Sequence, residues 1–209
     1  MAGAAQVKGA GNPLRNIGGA PAAFPVRSRA ARAFDQAFDF VDHCHSLGLG
    51  VVETRLPENK DAESLSKFRK KFESYGMRLI LDVGFPRDES GVVAFDANVE
   101  AAKECGAISL HAAMTGRRDQ DFMAFDAFKQ NFERNQKSID LAEPILRKHK
   151  LALGIENHKG WRAAEQATWL KRVSSDGLAC LSTTATTSRY VSRPRSRCAP
   201  CCLTRSPVT

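Results

Sequence analysis

The stretch LALGIENHKGW, residues 151–161, runs a short apolar segment straight into Glu156, Asn157, His158 and Lys159. A carboxylate, an amide, an imidazole and an amine delivered to one point can bind a polar ligand, hold a cation or move a proton. A carboxylate at the mouth of an apolar strand is costly unless a cation or donor partners it. Glu156 is therefore the first candidate site residue. Three more polar residues stand at equivalent places: Glu53 after GVV, Asp82 after MRLIL and His111 after AISL. Glu53 and Asp82 also fit simple loop caps, and His111 between apolar neighbours also fits a hydrogen-bonded core imidazole. His43 and His45 flank Cys44 in a helical stretch and point to different faces, which argues against a shared metal site.

The elements that must position these groups repeat along the chain. Phe40, Val41, Cys44 and Leu47 form one apolar helix face, stopped by Gly48 and followed by GVVET. Leu65, Phe68, Phe72 and Tyr75 form the next, with Asp61 as N-cap and Gly76 as stop before MRLILDV. A third helix around 95–105 leads into AISLHAAM, and a long helical region near 122–149, which Pro144 is expected to kink or divide, leads into LALGIEN. A last helix spans about 163–173. Strands alternating with helices over short connections predict parallel βα units. Strands are expected near 14–20, 50–54, 78–83, 107–112 and 151–156, each ending on a polar residue at the face where barrel enzymes gather their chemistry. An open doubly wound sheet would announce a Gly-rich phosphate loop, and SLGLGVV does not match one. The expected fold is α/β, an incomplete (β/α)8 TIM barrel of about five βα units.

Composition narrows the function classes. The net charge of +8 lies in the two ends: residues 1–34 carry five Lys/Arg and no acid, and residues 176–209 carry five Arg and one Asp. The body between is nearly neutral, which disfavours a nucleic-acid-binding domain. No apolar run reaches the roughly 20 residues of a membrane span, and the start lacks the apolar core of a secretory signal, so a cytoplasmic protein is expected. That acid-free, Ala/Arg-rich start also permits an organelle transit peptide. Cys44 and Cys105 read as buried thiols, and CAPCC near the end lacks the second ligand pair of a zinc knuckle.

At SLHAAM and LGIENHKGW, supported by FDFVDHCHSLGLGVVETRLP, YGMRLILDV and LRKHKLALGIENHKGWRAAEQATWLKRVSS, residues 14–175 resemble the xylose-isomerase-like TIM-barrel superfamily, closest to its sugar phosphate isomerase/epimerase branch. The resemblance implies one divalent ion, Mn²⁺ or Mg²⁺ with Zn²⁺ or Co²⁺ as alternatives. In that family a Glu on strand 5, an Asp on strand 6, a His on strand 7 and a Glu on strand 8 hold it. It places Glu156 on the first of those positions, as metal ligand and catalytic carboxylate. Glu53, His111, Asn157, His158 and Lys159 become substrate-binding neighbours. The implied substrate is a sugar or sugar phosphate, and the implied reaction is proton transfer at a carbon next to a carbonyl.

The pattern ends at Ser175. Residues 1–13 are expected to be disordered, 14–175 to form the partial barrel, and 176–209 to be an irregular basic tail standing where strands 6–8 belong. A one-base shift near codon 176 would account for that tail, since a permitted synonymous coding of 181–191 read in the neighbouring phase gives L-D-Y-G-N-N-I-S-L, similar to the family's strand 6. Such a chain is expected to be inactive. The alternatives are an endonuclease-IV-like phosphodiesterase, for which five histidines are too few, and a non-enzymatic truncated barrel with a basic tail.

Overall fold

The computed structural model describes residues 12–114, 116–157 and 160–181. A six-stranded, wholly parallel sheet runs in chain order: β1 Gly18–Gly19, β2 Val51–Arg55, β3 Arg78–Asp82, β4 Ser109–Ala113, β5 Leu153–Glu156 and β6 Leu178–Leu181. Helices connect successive strands: α1 Pro25–Ala33 and α2 Phe40–Ser46, then α3 Ala62–Tyr75, α4 Val92–Glu104, α5 Phe125–His149 and α6 Ala163–Val173. Sequential parallel strands with a helix in every crossover make an incomplete TIM barrel.

Local chemistry sets the boundaries. Asp61 accepts the Ser64 amide at 2.7 Å and opens α3. Gly76 closes it with φ +62°, a left-handed conformation that costs glycine nothing. Along each strand, alternate residues face opposite ways. Val52, Leu79, Leu81, Leu110, Ala112, Leu153 and Ile155 are buried in the core with Cys44, Leu65, Phe72, Phe95, Val99, Ile139 and Leu146 from the helices. The opposite face carries Glu53, Asp82, His111 and Glu156. Lateral register puts Arg55 beside Asp82, Asp82 beside His111, and Glu156 beside Ala113.

The structure departs from the sequence expectation in four places. The first strand, expected near 14–20, is only Gly18–Gly19, because Pro13–Asn16 form a 3-10 helix that Asn12 caps. A sixth strand, β6, lies inside the stretch expected to be irregular, and it pairs along β5 from Leu153–Leu178 to Glu156–Leu181. The unpaired edge of β5 offers a ladder that LACL can complete, with Leu178 packed into the core. Residues 182–209, and with them the rest of the expected tail, lie outside the described residues, as do residues 1–11 of the N-terminal stretch expected to be disordered over 1–13; Asn12 and Pro13 are ordered at the start of the 3-10 helix. Helix α1 was not foreseen; it opens on Pro25, whose fixed φ suits the first helical turn. Pro144 does not divide α5, which runs unbroken from Phe125 to His149. Ile139 and Ala142 before the proline, and Ile145 and Leu146 after it, are all buried and hold both halves to the core.

Candidate functional site

His111 stands at the centre of the polar cluster. Its Nδ1 lies 3.3 Å from Glu53 Oε1 and 3.5 Å from Asp82 Oδ1, and its Nε2 lies 3.4 Å from Glu156 Oε2. Four successive strands, β2 to β5, thus place their terminal polar side chains around one imidazole. Its side chain is 11% exposed. Neither ring nitrogen makes an aligned hydrogen bond, so these contacts are charge attraction. The Asp82 carboxylate, then that of Glu53, lifts the His111 pKa from 6.5 to about 10 against the opposing cost of burial. His111 is therefore an imidazolium at neutral pH. It holds the Asp82 carboxyl below its ordinary value in return, helped by Arg55, whose Nε lies 3.5 Å from Asp82 Oδ2.

Beside the cluster opens a cleft of about 520 Å³, walled by Arg55, Leu56, Pro57, Glu58 and Lys60 on one side and by Asp82, Val83, Gly84, Asn98 and Ala113 on the other. It lies between the loops that follow β2 and β3. Lys60 Nζ donates to Asn98 Oδ1 at 2.7 Å and ties the first loop to α4.

The loops after β4 and β5 are fastened to each other. Arg118 Nε donates to the Gly160 carbonyl at 3.2 Å, its Nη2 pairs with Glu165, and its guanidinium stacks 4.0 Å above the Phe128 ring. Glu165 also accepts the Arg162 amide at 2.7 Å, closing the first turn of α6. Asn157 works within its own loop: Nδ2 donates to the Trp161 carbonyl at 2.6 Å, and Oδ1 accepts the Trp161 amide at 2.9 Å. Its buried carboxamide shapes the turn after Glu156, whereas the sequence had pointed to a substrate contact.

The sequence-predicted residues divide accordingly. Glu53, His111 and Glu156 come together; Asn157 folds the loop; His158 and Lys159 lie outside the described residues. Asp82, noted in the sequence but equally suited to a loop cap, joins the cluster, and Arg55 and Arg118 were missed. Arg117 and Arg118 are adjacent and alike in sequence. Local pairing takes Arg117 to Asp121, and only the fold sends Arg118 across to α6.

A divalent ion needs several oxygen or imidazole ligands converging on one point at about 2.0–2.6 Å. The His111 ring stands between its partners, with Glu53 and Asp82 at one nitrogen and Glu156 at the other, so the three carboxylates do not converge. Among the described residues no three His, Cys, Asp or Glu side chains are placed to hold a metal ion. The described residues do not fit the implied cofactor. No helix among them is long and apolar enough to cross a membrane.

No protein-family model matches the chain, and no curated protein matches it. Solved structures do. A D-psicose 3-epimerase determined in the presence of D-fructose superposes with a TM-score of 0.55 at 16% identity, covering 68% of this chain and 55% of that one. An L-ribulose 3-epimerase gives 0.51 at 11% identity over 67% and 52%. A xylose isomerase domain protein from Planctomyces limnophilus gives 0.50 at 14% identity over 70% and 59%. The chain spans little more than half the length of these proteins, and at such identities the likeness is one of fold. That fold is the TIM barrel in incomplete form.

Proposed function

We propose that the chain is built on the plan of a sugar isomerase/epimerase, and that the His111 cluster is where it binds a small polyhydroxylated ligand. The convergence of Glu53, Asp82, His111 and Glu156 from four successive strand ends carries this proposal. Carboxylates accept hydrogen bonds from sugar hydroxyls, and an imidazolium donates to a carbonyl oxygen. Among the solved neighbours, the epimerases seen with D-fructose and D-tagatose support a sugar as the ligand class.

Glu156 is the carboxylate proposed to take a proton from the carbon next to the sugar carbonyl. His111 Nε2, 3.4 Å away, is the nearby positive charge that would steady the oxygen as negative charge develops there. Glu53 and Asp82 keep His111 charged and bind hydroxyls. The described residues do not complete a metal cage, so we expect this chain to bind Mn²⁺ or Mg²⁺ weakly and to epimerise nothing measurably. The shifted-frame account of the tail also stands as a proposal. β6 already occupies 178–181, so a shift at codon 176 would replace a strand that the chain as written forms.

The test is a titration of D-fructose into the chain, followed through the His111 ring signals, with solvent deuterium exchange into the sugar measured alongside. Millimolar binding that Glu53→Gln weakens, with no exchange, is expected. Absence of any perturbation at His111 would overturn the binding site. Exchange that disappears in Glu156→Gln would show a competent enzyme and refute the expected inactivity. Sequencing the coding DNA across codons 170–209 decides the frame.

A further inference from the structure

Resting on that sugar-binding proposal, we infer that the site takes a sugar carrying a second ring, a disaccharide or glycoside, rather than a free or phosphorylated monosaccharide. The cleft beside the cluster does not end at the loop after β3. A second cleft of about 320 Å³ continues outward, walled by Phe85, Pro86, Arg87 and Ser90. Gly84 and Asn98 line both spaces, so the two clefts adjoin, and Asp82 lines the inner one alone. Each is of a size that holds a small ligand by itself.

The chemistry changes from one cleft to the other. In the inner cleft Arg55 is paired with Asp82 and Lys60 with the neutral Asn98, while Glu58 adds a negative charge. Cations and carboxylates balance there, which suits neutral hydroxyls better than a phosphate dianion. The outer cleft has the ring of Phe85 and Pro86 against which the C–H face of a pyranose can pack. Asp88 on its rim is spent on the Ser90 amide at 2.9 Å and the Ser90 hydroxyl at 2.5 Å. Arg87 has no ion-pair or hydrogen-bond partner among the described residues, leaving its guanidinium donors for hydroxyls of a second ring.

Gly84 offers a clean block. A Cβ built there meets nothing within 4 Å, so the side chain of Gly84→Leu starts from open space where the two clefts meet. The experiment is calorimetric titration of the full chain and of Gly84→Leu and Arg87→Ala with lactulose, D-fructose and D-fructose 6-phosphate, each variant checked by its thermal transition. Lactulose should bind the parent chain about tenfold more tightly than fructose. Arg87→Ala should weaken lactulose alone, and Gly84→Leu should cost lactulose clearly more than fructose. Fructose binding with no preference for lactulose, equal loss of both sugars in Gly84→Leu, or preference for the phosphate would each overturn the second subsite while leaving the sugar site standing. Failure of all three ligands to bind would remove the sugar site itself.

Discussion

Replacing His111 with glutamine takes the positive charge out of the middle of three carboxylates, and the cost should depend on pH in a specific way. The rise of the His111 pKa from 6.5 to about 10 corresponds to a ceiling of roughly 5 kcal/mol of stabilisation. The ceiling is not reached. Glu53, Asp82 and Glu156 keep 27%, 33% and 21% of their side-chain surface in water, and none makes an aligned hydrogen bond to the ring. Solvent screening of partly exposed pairs removes about half or more, leaving about 2 kcal/mol. Because the folded pKa is the higher one, this stability is fully present below about pH 6.5 and is lost as pH rises through about 10. Asp82 titrates below its ordinary value, so the same pair weakens again in acid; that is one interaction seen from its other end. Urea denaturation of chelator-treated parent and His111→Gln chains from pH 4 to 10 should show a constant gap up to about 6.5 that closes toward 10. A His111 ring that titrates near 6.5 by NMR, or a gap that persists unchanged to pH 10, would refute the ion-pair account.

Asn157→Ala strands the buried amide and carbonyl of Trp161, and should cost about 2 kcal/mol with a shift in Trp161 fluorescence; unchanged stability would mean the loop does not depend on that side chain. Gly50→Ala would put a methyl 2.0 Å from the Arg15 carbonyl oxygen, so a loss of about 3 kcal/mol by denaturant titration is expected. Leu81→Ala removes a fully buried side chain from the helix-facing side of β3 and should cost about 2–5 kcal/mol while fructose affinity in the surviving folded chain stays put. Its neighbour Asp82→Asn should weaken fructose binding several-fold at a stability cost below the about 2 kcal/mol expected for His111→Gln, because Glu53 and Glu156 still face the ring.

That contrast between Leu81 and Asp82 shows why much of the site was legible. In MRLILDV the side of the sheet changes with every residue, so a polar group at the end of an apolar run declares itself by local pattern. The same alternation explains Asn157. ENHK looks like a single polar cluster in the sequence, yet Glu156 and Asn157 leave the strand in opposite directions, one to the His111 cluster and one into the loop with Trp161. What the sequence did not show depends on distant partners. LACL sits among residues that signal no regular structure, and it is a strand because β5 offers it an edge. Arg118 finds Gly160 and Glu165 more than forty residues away.

Register also explains why these four residues meet. Glu53 pairs laterally with Ile80, two residues before Asp82; Asp82 pairs directly with His111; and His111 pairs with Gly154, two residues before Glu156. From β2 to β5 the site thus climbs four residues toward the strand C-termini over three steps. In an untilted sheet, residues at one height would be direct lateral partners all the way across. A barrel with tilted strands and a shear of about 8 over eight strands shifts the level by about one residue per strand, taken in jumps of two because only alternate residues face the same way. The observed climb is close to that. The tilt brings Glu53 and Glu156, three strands apart, to opposite nitrogens of a single imidazole. Even with six strands the sheet has the stagger of a barrel, and that stagger is what assembles the site.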